Sequence, residues 1–354
     1  MSRSFRVGVT RDFLKPDGSL GFGDIGLSLL ENAPGVEWEF LANAEAELSA
    51  SMIRDYQALL VLAPRVTAAS LEGCDRLAIV ARFGVGYDNV DVEACTRSDV
   101  MLTITPDGVR RPVAVSALAF LLALSHKLIL KDRLTREARW SEKMDHMGIG
   151  LTGRTLGLIG FGNVGREVAS VTRPLEMRQL AHDPFASPED AARRGVTLVS
   201  LEDVLRESDF VVICCSLVPE TKHLIDAARL ATMKPTAYLI NVARGPIVNQ
   251  TDLTRALSEG RLAGAALDVF EREPIDPNDP LLALDNVILA PHAICWTDEL
   301  FLGNGREACQ SILDVAAGRI PRNVVNRSVL ERPAMTAKLK LLENRANVVQ
   351  EEGK

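Results

Sequence analysis

The stretch LTGRTLGLIGFGNVGREVASVTRPLEMRQLAHD, residues 151–183, decides the fold. It opens on an apolar run, Thr155-Leu-Gly-Leu-Ile159, of the length of a buried parallel strand. Gly160-Phe161-Gly162-Asn163-Val164-Gly165 follows directly, and a helical pattern starts at Val164. A G-x-G-x-x-G turn set between a strand and a helix is the arrangement that cradles a dinucleotide. Gly160 permits the tight turn, Gly162 leaves the backbone bare for a pyrophosphate, and Gly165 lets the helix lie close to the strand. The helix N-terminus adds N–H groups and the positive end of its dipole. Asp183 closes a second apolar stretch eighteen positions after Gly165. That is near the spacing expected for the acid that binds the adenosine ribose hydroxyls.

On the C-terminal side the alternation continues. Apolar runs at 196–199, 210–215, 237–242, 262–269 and 287–290 are separated by helix-sized segments. With the two strands of 151–183 they predict about seven strands, enough for a full doubly wound sheet. On the N-terminal side, runs at 5–10, 36–41, 58–63, 77–83 and 100–105 alternate with short helical patterns, which predicts a second, smaller parallel α/β unit. No phosphate-binding glycine turn follows its first strand, so no second nucleotide site is expected there. Pro112 reads as the first residue of a long helix reaching about residue 140, apolar in its first half and charged in KDRLTREARW. Residues 297–318 read as another helix, and 327–354 as a polar tail with a solvated helical stretch.

Composition narrows the partners. The 354 residues suffice for two domains, each burying its own core. Forty Lys and Arg against 47 Asp and Glu give a net charge of -7, with no sign of a nucleic acid or an anionic membrane as partner. The longest membrane candidate, 113–130, is interrupted by Ser116, Ser125, His126 and Lys127. The start, MSRSFRVGVTRD, enters a strand pattern without a signal-peptide core, so a cytoplasmic location is expected. Six cysteines show no C-x-x-C pair and no metal spacing, so no metal is expected. Cys214 and Cys215 read as small core hydrophobes.

In an open α/β sheet, ligands bind at the carboxyl ends of the strands. Asn241-Val242-Ala-Arg244-Gly245, Asp268-Val-Phe-Glu-Arg-Glu273 and Pro291-His292 all follow strand patterns. A dinucleotide that takes hydride from an alcohol needs a proton-transfer partner, and histidine is the usual one. Of five histidines, His126 lies in the apolar helix, His146 in a loop and His182 beside Asp183 at the adenosine end. His223 lies in PETKH, away from the other strand-end candidates, so His292 is the choice. Glu273 can favour its charged form and fix its tautomer. Arg244 can grip a substrate carboxylate with a planar fork. The loop Arg82-Phe-Gly-Val85-Gly86-Tyr-Asp-Asn-Val-Asp91 reads equally as a ligand loop or a tight turn.

These residues resemble the D-isomer-specific 2-hydroxyacid dehydrogenases, the group of phosphoglycerate, glycerate/hydroxypyruvate and D-lactate dehydrogenases. The likeness rests on RFGVGYDNVD (82–91), GLIGFGNVGRE (157–167), PETKHLI (219–225), NVARGPIVN (241–249), ALDVFEREP (266–274) and APHAICWT (290–297). It implies NAD as cofactor, held by residues 160–165, Asp183, Val242 and Asp268, the last on the nicotinamide carboxamide. It implies Arg244 on the substrate carboxylate with the N–H groups of Val85 and Gly86, and Glu273 orienting His292 as acid/base. The substrate would be a small 2-hydroxy or 2-keto acid, and the assembly a homodimer. The implied fold is two doubly wound parallel-sheet domains. A Rossmann-type NAD domain (111–296) is inserted into a smaller flavodoxin-like substrate domain (1–110 plus 297–330), with 331–354 as a tail.

The chain departs from the family pattern at Val115, where many relatives carry Glu, and at Cys214 and Ser216, where His and Pro are usual. Two other readings stand beside the main one. A formate or phosphite dehydrogenase is disfavoured by Glu273, where formate dehydrogenases usually carry Gln. An NADH-sensing, corepressor-like scaffold is separated by testing for NADH consumption. Cys295, three residues after His292, is expected to be inert if buried and oxidant-sensitive if it meets the imidazolium.

Overall fold

The computed structural model describes residues 4–352, with side chains described to 349; the parts of the expected domains at 1–3, 353 and 354 lie outside the described residues. The chain divides into two compact units, Met1–Val109 with Trp296–Lys354, and Arg110–Cys295.

Among the described residues, the first unit holds a five-stranded parallel sheet of β1 (Phe5–Val9), β2 (Val36–Phe40), β3 (Ala58–Val61), β4 (Ile79–Arg82) and β5 (Met101–Thr103). Their order is β2-β1-β3-β4-β5, so the direction of winding reverses between β1 and β3. Central β3, ALLV, is buried at every position, as a parallel strand covered on both faces must be. Edge strand β2, VEWEF, alternates instead and turns Glu37 and Glu39 outward, which keeps its open edge polar. The helix Asp298–Ala316 forms where the sequence places it, with the Thr297 side chain accepting the Leu300 N–H at 3.2 Å.

The solvated tail is corrected. Residues Pro333–Glu352 form a helix that buries Met335 and Leu342 in this unit. Lys338 Nζ donates to the carbonyls of Leu77 and Asp99 at 2.6 and 2.9 Å. Arg345 donates to those of Gly35 and Ala316, and its guanidinium lies 5.2 Å from the Phe5 ring centre. The aliphatic stems of these cations cover apolar surface while their heads satisfy carbonyls, which a polarity reading of the sequence scores as solvation.

Among the described residues, the second unit holds seven parallel strands: β6 (Thr155–Ile159), β7 (Arg178–His182), β8 (Val196–Leu198), β9 (Phe210–Ile213), β10 (Tyr238–Asn241), β11 (Gly264–Leu267) and β12 (Val287–Leu289). The order β12-β11-β10-β9-β6-β7-β8 is the doubly wound one, with its switch point between β6 and β9. Side chains of β9 alternate between two cores. Phe210 and Val212 join Leu156, Leu158 and Ile240 on one face, while Val211 and Ile213 join Leu180, Val204 and Leu239 on the other. The two expected parallel-sheet domains are thus present, one chain segment inserted within the other.

The single helix from Pro112 is also corrected. The helix runs Pro106–Ser125, with Pro112 inside it, and a second helix runs Leu128–Arg136. It starts early because Pro106 takes the favourable first position and Glu307 Oε2 accepts the N–H groups of Asp107 and Gly108, each at 3.1 Å. It stops because the Ser125 carbonyl accepts the Ile149 N–H at 2.8 Å and Lys127 turns left-handed at φ 51°. By length and hydropathy alone Pro106–Ser125 could cross a membrane, but Ala114, Ala117, Phe120, Leu121 and Leu124 are buried in the core of the second unit.

Candidate active site

The glycine turn sits at the switch point of the seven-stranded sheet, at the end of β6. Gly160 has φ 96°, and a Cβ there would lie 2.6 Å from the Cys215 nitrogen, so only glycine lets the loops after β6 and β9 cross. A Cβ on Gly165 would meet the Gly160 carbonyl oxygen at 2.3 Å. Around Gly162 the opposite holds, since a Cβ there would meet no atom within 4 Å. Its bareness answers to nothing in the protein and leaves room for a ligand against the backbone. Gly162 immediately precedes the ten-residue helix Asn163–Thr172, whose first N–H groups have no acceptor within the helix and no capping side chain.

Asp183 follows β7. Its Oδ2 accepts the Phe161 N–H at 2.7 Å and its Oδ1 the Phe185 N–H at 2.9 Å. The acid expected at the ribose is thereby tied to the glycine turn, a link that spacing alone does not reveal. A tight crossing, an open cradle and an anchored carboxylate are the donor set a dinucleotide requires, and the residues fit one.

Arg244, Glu273, His292 and Asp268 come together at the carboxyl ends of β10, β11 and β12. His292 Nδ1 lies 2.7 Å from Glu273 Oε2, and Glu273 Oε1 accepts the Phe270 N–H at 2.9 Å. Burial, the largest single influence on Glu273, pushes its carboxyl up. The His292 bond, the Phe270 N–H and the charges of His292 and Arg244 outweigh it and hold the carboxyl below its ordinary value. Arg244 follows Asn241, whose amide accepts the Ala243 N–H and donates to the Arg244 carbonyl, both at 3.0 Å. Arg244 Nη1 also donates to the Ala243 carbonyl at 2.8 Å.

His292 is left-handed at φ 55°, a conformation that costs a non-glycine residue on the order of 1–3 kcal/mol. Asp268 holds it there: its Oδ1 accepts the N–H groups of Ala293 and Ile294 at 2.9 and 3.0 Å. Burial raises the Asp268 carboxyl against the opposing pull of those two bonds. Motif reading gives Asp268 a cofactor contact and misses this bracing of the histidine loop. Val242, the other expected cofactor contact, packs partly buried on the core just beyond β10.

The placing of His223 away from the strand-end candidates is corrected. Its Nε2 lies 2.5 Å from Glu271 Oε1, two residues before Glu273, and its backbone N–H donates to the Pro246 carbonyl. Burial pushes the Cys295 thiol up to about 11, the inert alternative for that residue. The thiols of Cys214 and Cys215 are also raised by burial, Cys215 to about 11, which fits the packing role expected of them. Among the described residues no group of His, Cys, Asp and Glu is placed to hold a metal ion.

In the first unit the loop 83–90 follows β4. Gly84 donates to Thr105 Oγ1 at 2.8 Å and accepts the Thr105 N–H at 3.0 Å. Val85 is exposed and Gly86 half-buried. Among the described residues, neither of their N–H groups donates to a protein acceptor.

The family described as "D-isomer specific 2-hydroxyacid dehydrogenase, NAD binding domain" matches residues 118–293. A glyoxylate reductase from Korarchaeum cryptofilum is 38% identical over 311 residues, covering 86% of this chain and 94% of that protein. The crystal structure of the TT0316 protein from Thermus thermophilus superposes with a TM-score of 0.79 at 31% identity, over 91% of this chain and 100% of that one. A D-lactate dehydrogenase from Aquifex aeolicus, solved with NAD and lactic acid, gives 0.78 at 25% identity, over 90% of this chain and 99% of that one.

Proposed function

Because the chain belongs to the D-isomer specific 2-hydroxyacid dehydrogenase family, and so is an NAD-dependent oxidoreductase of that class, we propose that it interconverts a D-2-hydroxy acid and its 2-keto acid through Arg244, Glu273 and His292. The observation that carries this reading is the 2.7 Å contact between His292 Nδ1 and Glu273. It occupies one ring nitrogen and leaves Nε2 as the proton-transfer atom. Bound NAD supplies the hydride acceptor for oxidation and, once reduced, the donor for reduction. Residues 160–165 would hold its pyrophosphate and Asp183 its ribose, with Val242 and Asp268 as further contacts.

In the reductive direction Nε2–H gives its proton to the developing alkoxide, so the ring must start protonated. In the oxidative direction Nε2 accepts the hydroxyl proton, so the ring must start neutral. Glu273 stabilises the charged ring and holds its orientation. Arg244, helped by the N–H groups of Val85 and Gly86, grips the substrate carboxylate and polarises the adjacent carbonyl. On this reading residues 1–110 with 297–330 form the substrate domain and 111–296 the cofactor domain, which also carries Arg244, Glu273 and His292.

A homodimer completes the reading. Leu128, Ile129, Trp140, Met144 and Met147 are all exposed within about twenty residues of the second unit, apolar surface that a second copy would cover. Sedimentation or light scattering of the purified protein tests it, a monomer at micromolar concentration speaking against it. NADH consumption with a panel of 2-keto acids tests the activity. Binding of NADH without turnover on any of them would favour a scaffold instead.

A further inference from the structure

Four of the eleven phenylalanines and one of the three tryptophans meet at the carboxyl end of the first unit's sheet. Phe13, Phe83 and Phe301 are ordinary core, each at most 4% exposed. Phe22 and Trp296 are not. Phe22 lies flat on Phe301, with ring centres 4.2 Å apart and planes 8° from parallel. Trp296 stands edge-on to Phe22 at 5.0 Å and 90°, and remains 50% exposed. Phe22 projects from the glycine-rich loop after β1, between Gly21 and Gly23, and Gly21 is pinned to the Phe13 carbonyl at 2.8 Å. The core beneath is already closed by Phe83 against Phe13 and Phe301. The outer pair therefore adds a half-buried ring, Phe22, and an exposed one, Trp296, that closing this core does not call for, since exposed ring surface forgoes burial energy.

We propose that Phe22 and Trp296 receive the substrate's side chain, and that the preferred substrates are 2-keto acids with a bulky apolar or aromatic R group. The proposal rests on the 2-keto acid chemistry above. In R–CO–COO⁻ the R group is attached to the carbon next to the carboxylate carbon. Phe83, part of the same ring cluster, directly precedes the Gly84-Val85-Gly86 loop proposed to hold that carboxylate. Trp296 follows His292 by four residues. Val85 and Tyr87, on either side of Gly86 in the loop after Phe83, are exposed. The five rings offer one hydrogen-bond donor, the Trp296 indole N–H, and no charge to meet a phosphate or a second carboxylate. A hydrogen as R, as in glyoxylate, gains nothing from such rings, whereas an isobutyl or benzyl group is desolvated by them.

The test compares kcat/KM for glyoxylate, pyruvate, hydroxypyruvate, 4-methyl-2-oxopentanoate and phenylpyruvate in the wild type, Phe22→Ala, Phe22→Leu and Trp296→Ala, with the NADH dissociation constant measured for each. The expected result is that the two bulky apolar acids exceed glyoxylate by about tenfold or more. Both alanine variants should lower that ratio by about tenfold, and Phe22→Leu, which keeps apolar volume, by less. Glyoxylate or hydroxypyruvate as best substrate, with the ratio unmoved in variants that bind NADH normally, overturns the side-chain assignment and leaves the dehydrogenase reading standing. Turnover of none of the five acids by an NADH-binding wild type overturns both readings.

Discussion

Glu273 bonds His292 Nδ1 with one carboxylate oxygen and the Phe270 N–H with the other, so the group that fixes the imidazole is itself fixed by the backbone. Its depressed carboxyl keeps it charged through the neutral range, where its charge favours the protonated ring. Glu273→Gln keeps the shape and removes the charge. Reduction of a 2-keto acid, which needs the protonated ring, should then fail at lower pH than in the wild type. Oxidation of the hydroxy acid, which needs the neutral ring, should begin at lower pH. Profiles of kcat/KM in both directions check this, and limbs that stay put or move upward would show that the pair is not coupled.

Arg244→Lys keeps a positive charge and loses the planar fork. We expect kcat/KM for 2-keto acids to fall by about tenfold to a hundredfold, the scale of one or two charge-assisted hydrogen bonds. The NADH dissociation constant should hold. A parallel loss of NADH affinity would make Arg244 a structural residue.

The two later glycines of the turn separate binding from folding. A methyl on Gly162 meets no protein atom, so Gly162→Ala should keep the melting temperature and lose NADH affinity. Gly165→Ala drives a methyl into the Gly160 carbonyl and should lower the melting temperature by several degrees, the shift of roughly a kcal/mol or more. Calorimetry with an NADH titration distinguishes them. Unchanged NADH affinity in Gly162→Ala would mean that the open cradle is not where the pyrophosphate lies.

NADH should be preferred to NADPH by about tenfold or more, because the Asp183 carboxylate accepts ribose hydroxyls and repels a 2′-phosphate. The sequence after Asp183 offers no arginine until residue 193, but in the fold Arg166, Arg193 and Arg194 all converge on Asp190. Asp190 engages them, which leaves the preference to Asp183. Comparable kcat/KM values for the two cofactors would count against that division.

What was legible in the sequence was local or periodic. The glycine turn, the apolar strands and the strand-end positions of Arg244, Glu273 and His292 depend on neighbours in the chain, and the strands and the sheet windings follow. What was not legible depends on partners far along the chain. Glu307 sets the start of a helix about two hundred residues earlier. Lys127 ends that helix in a left-handed conformation with no glycine to mark it. Lys338 and Arg345 read as solvated charges yet tie the last helix to carbonyls of the first unit. Asp268 braces the loop after His292, and Phe22 finds Trp296 across most of the sequence. No periodicity encodes such pairs.

The most direct measurement is kcat/KM for 2-keto acid reduction by His292→Ala, taken beside its NADH dissociation constant. A loss of about 10²–10⁴-fold is expected for a missing acid/base, with NADH bound as tightly as by the wild type. Turnover by His292→Ala at the wild-type level would contradict the assignment of His292 as the group that moves the proton.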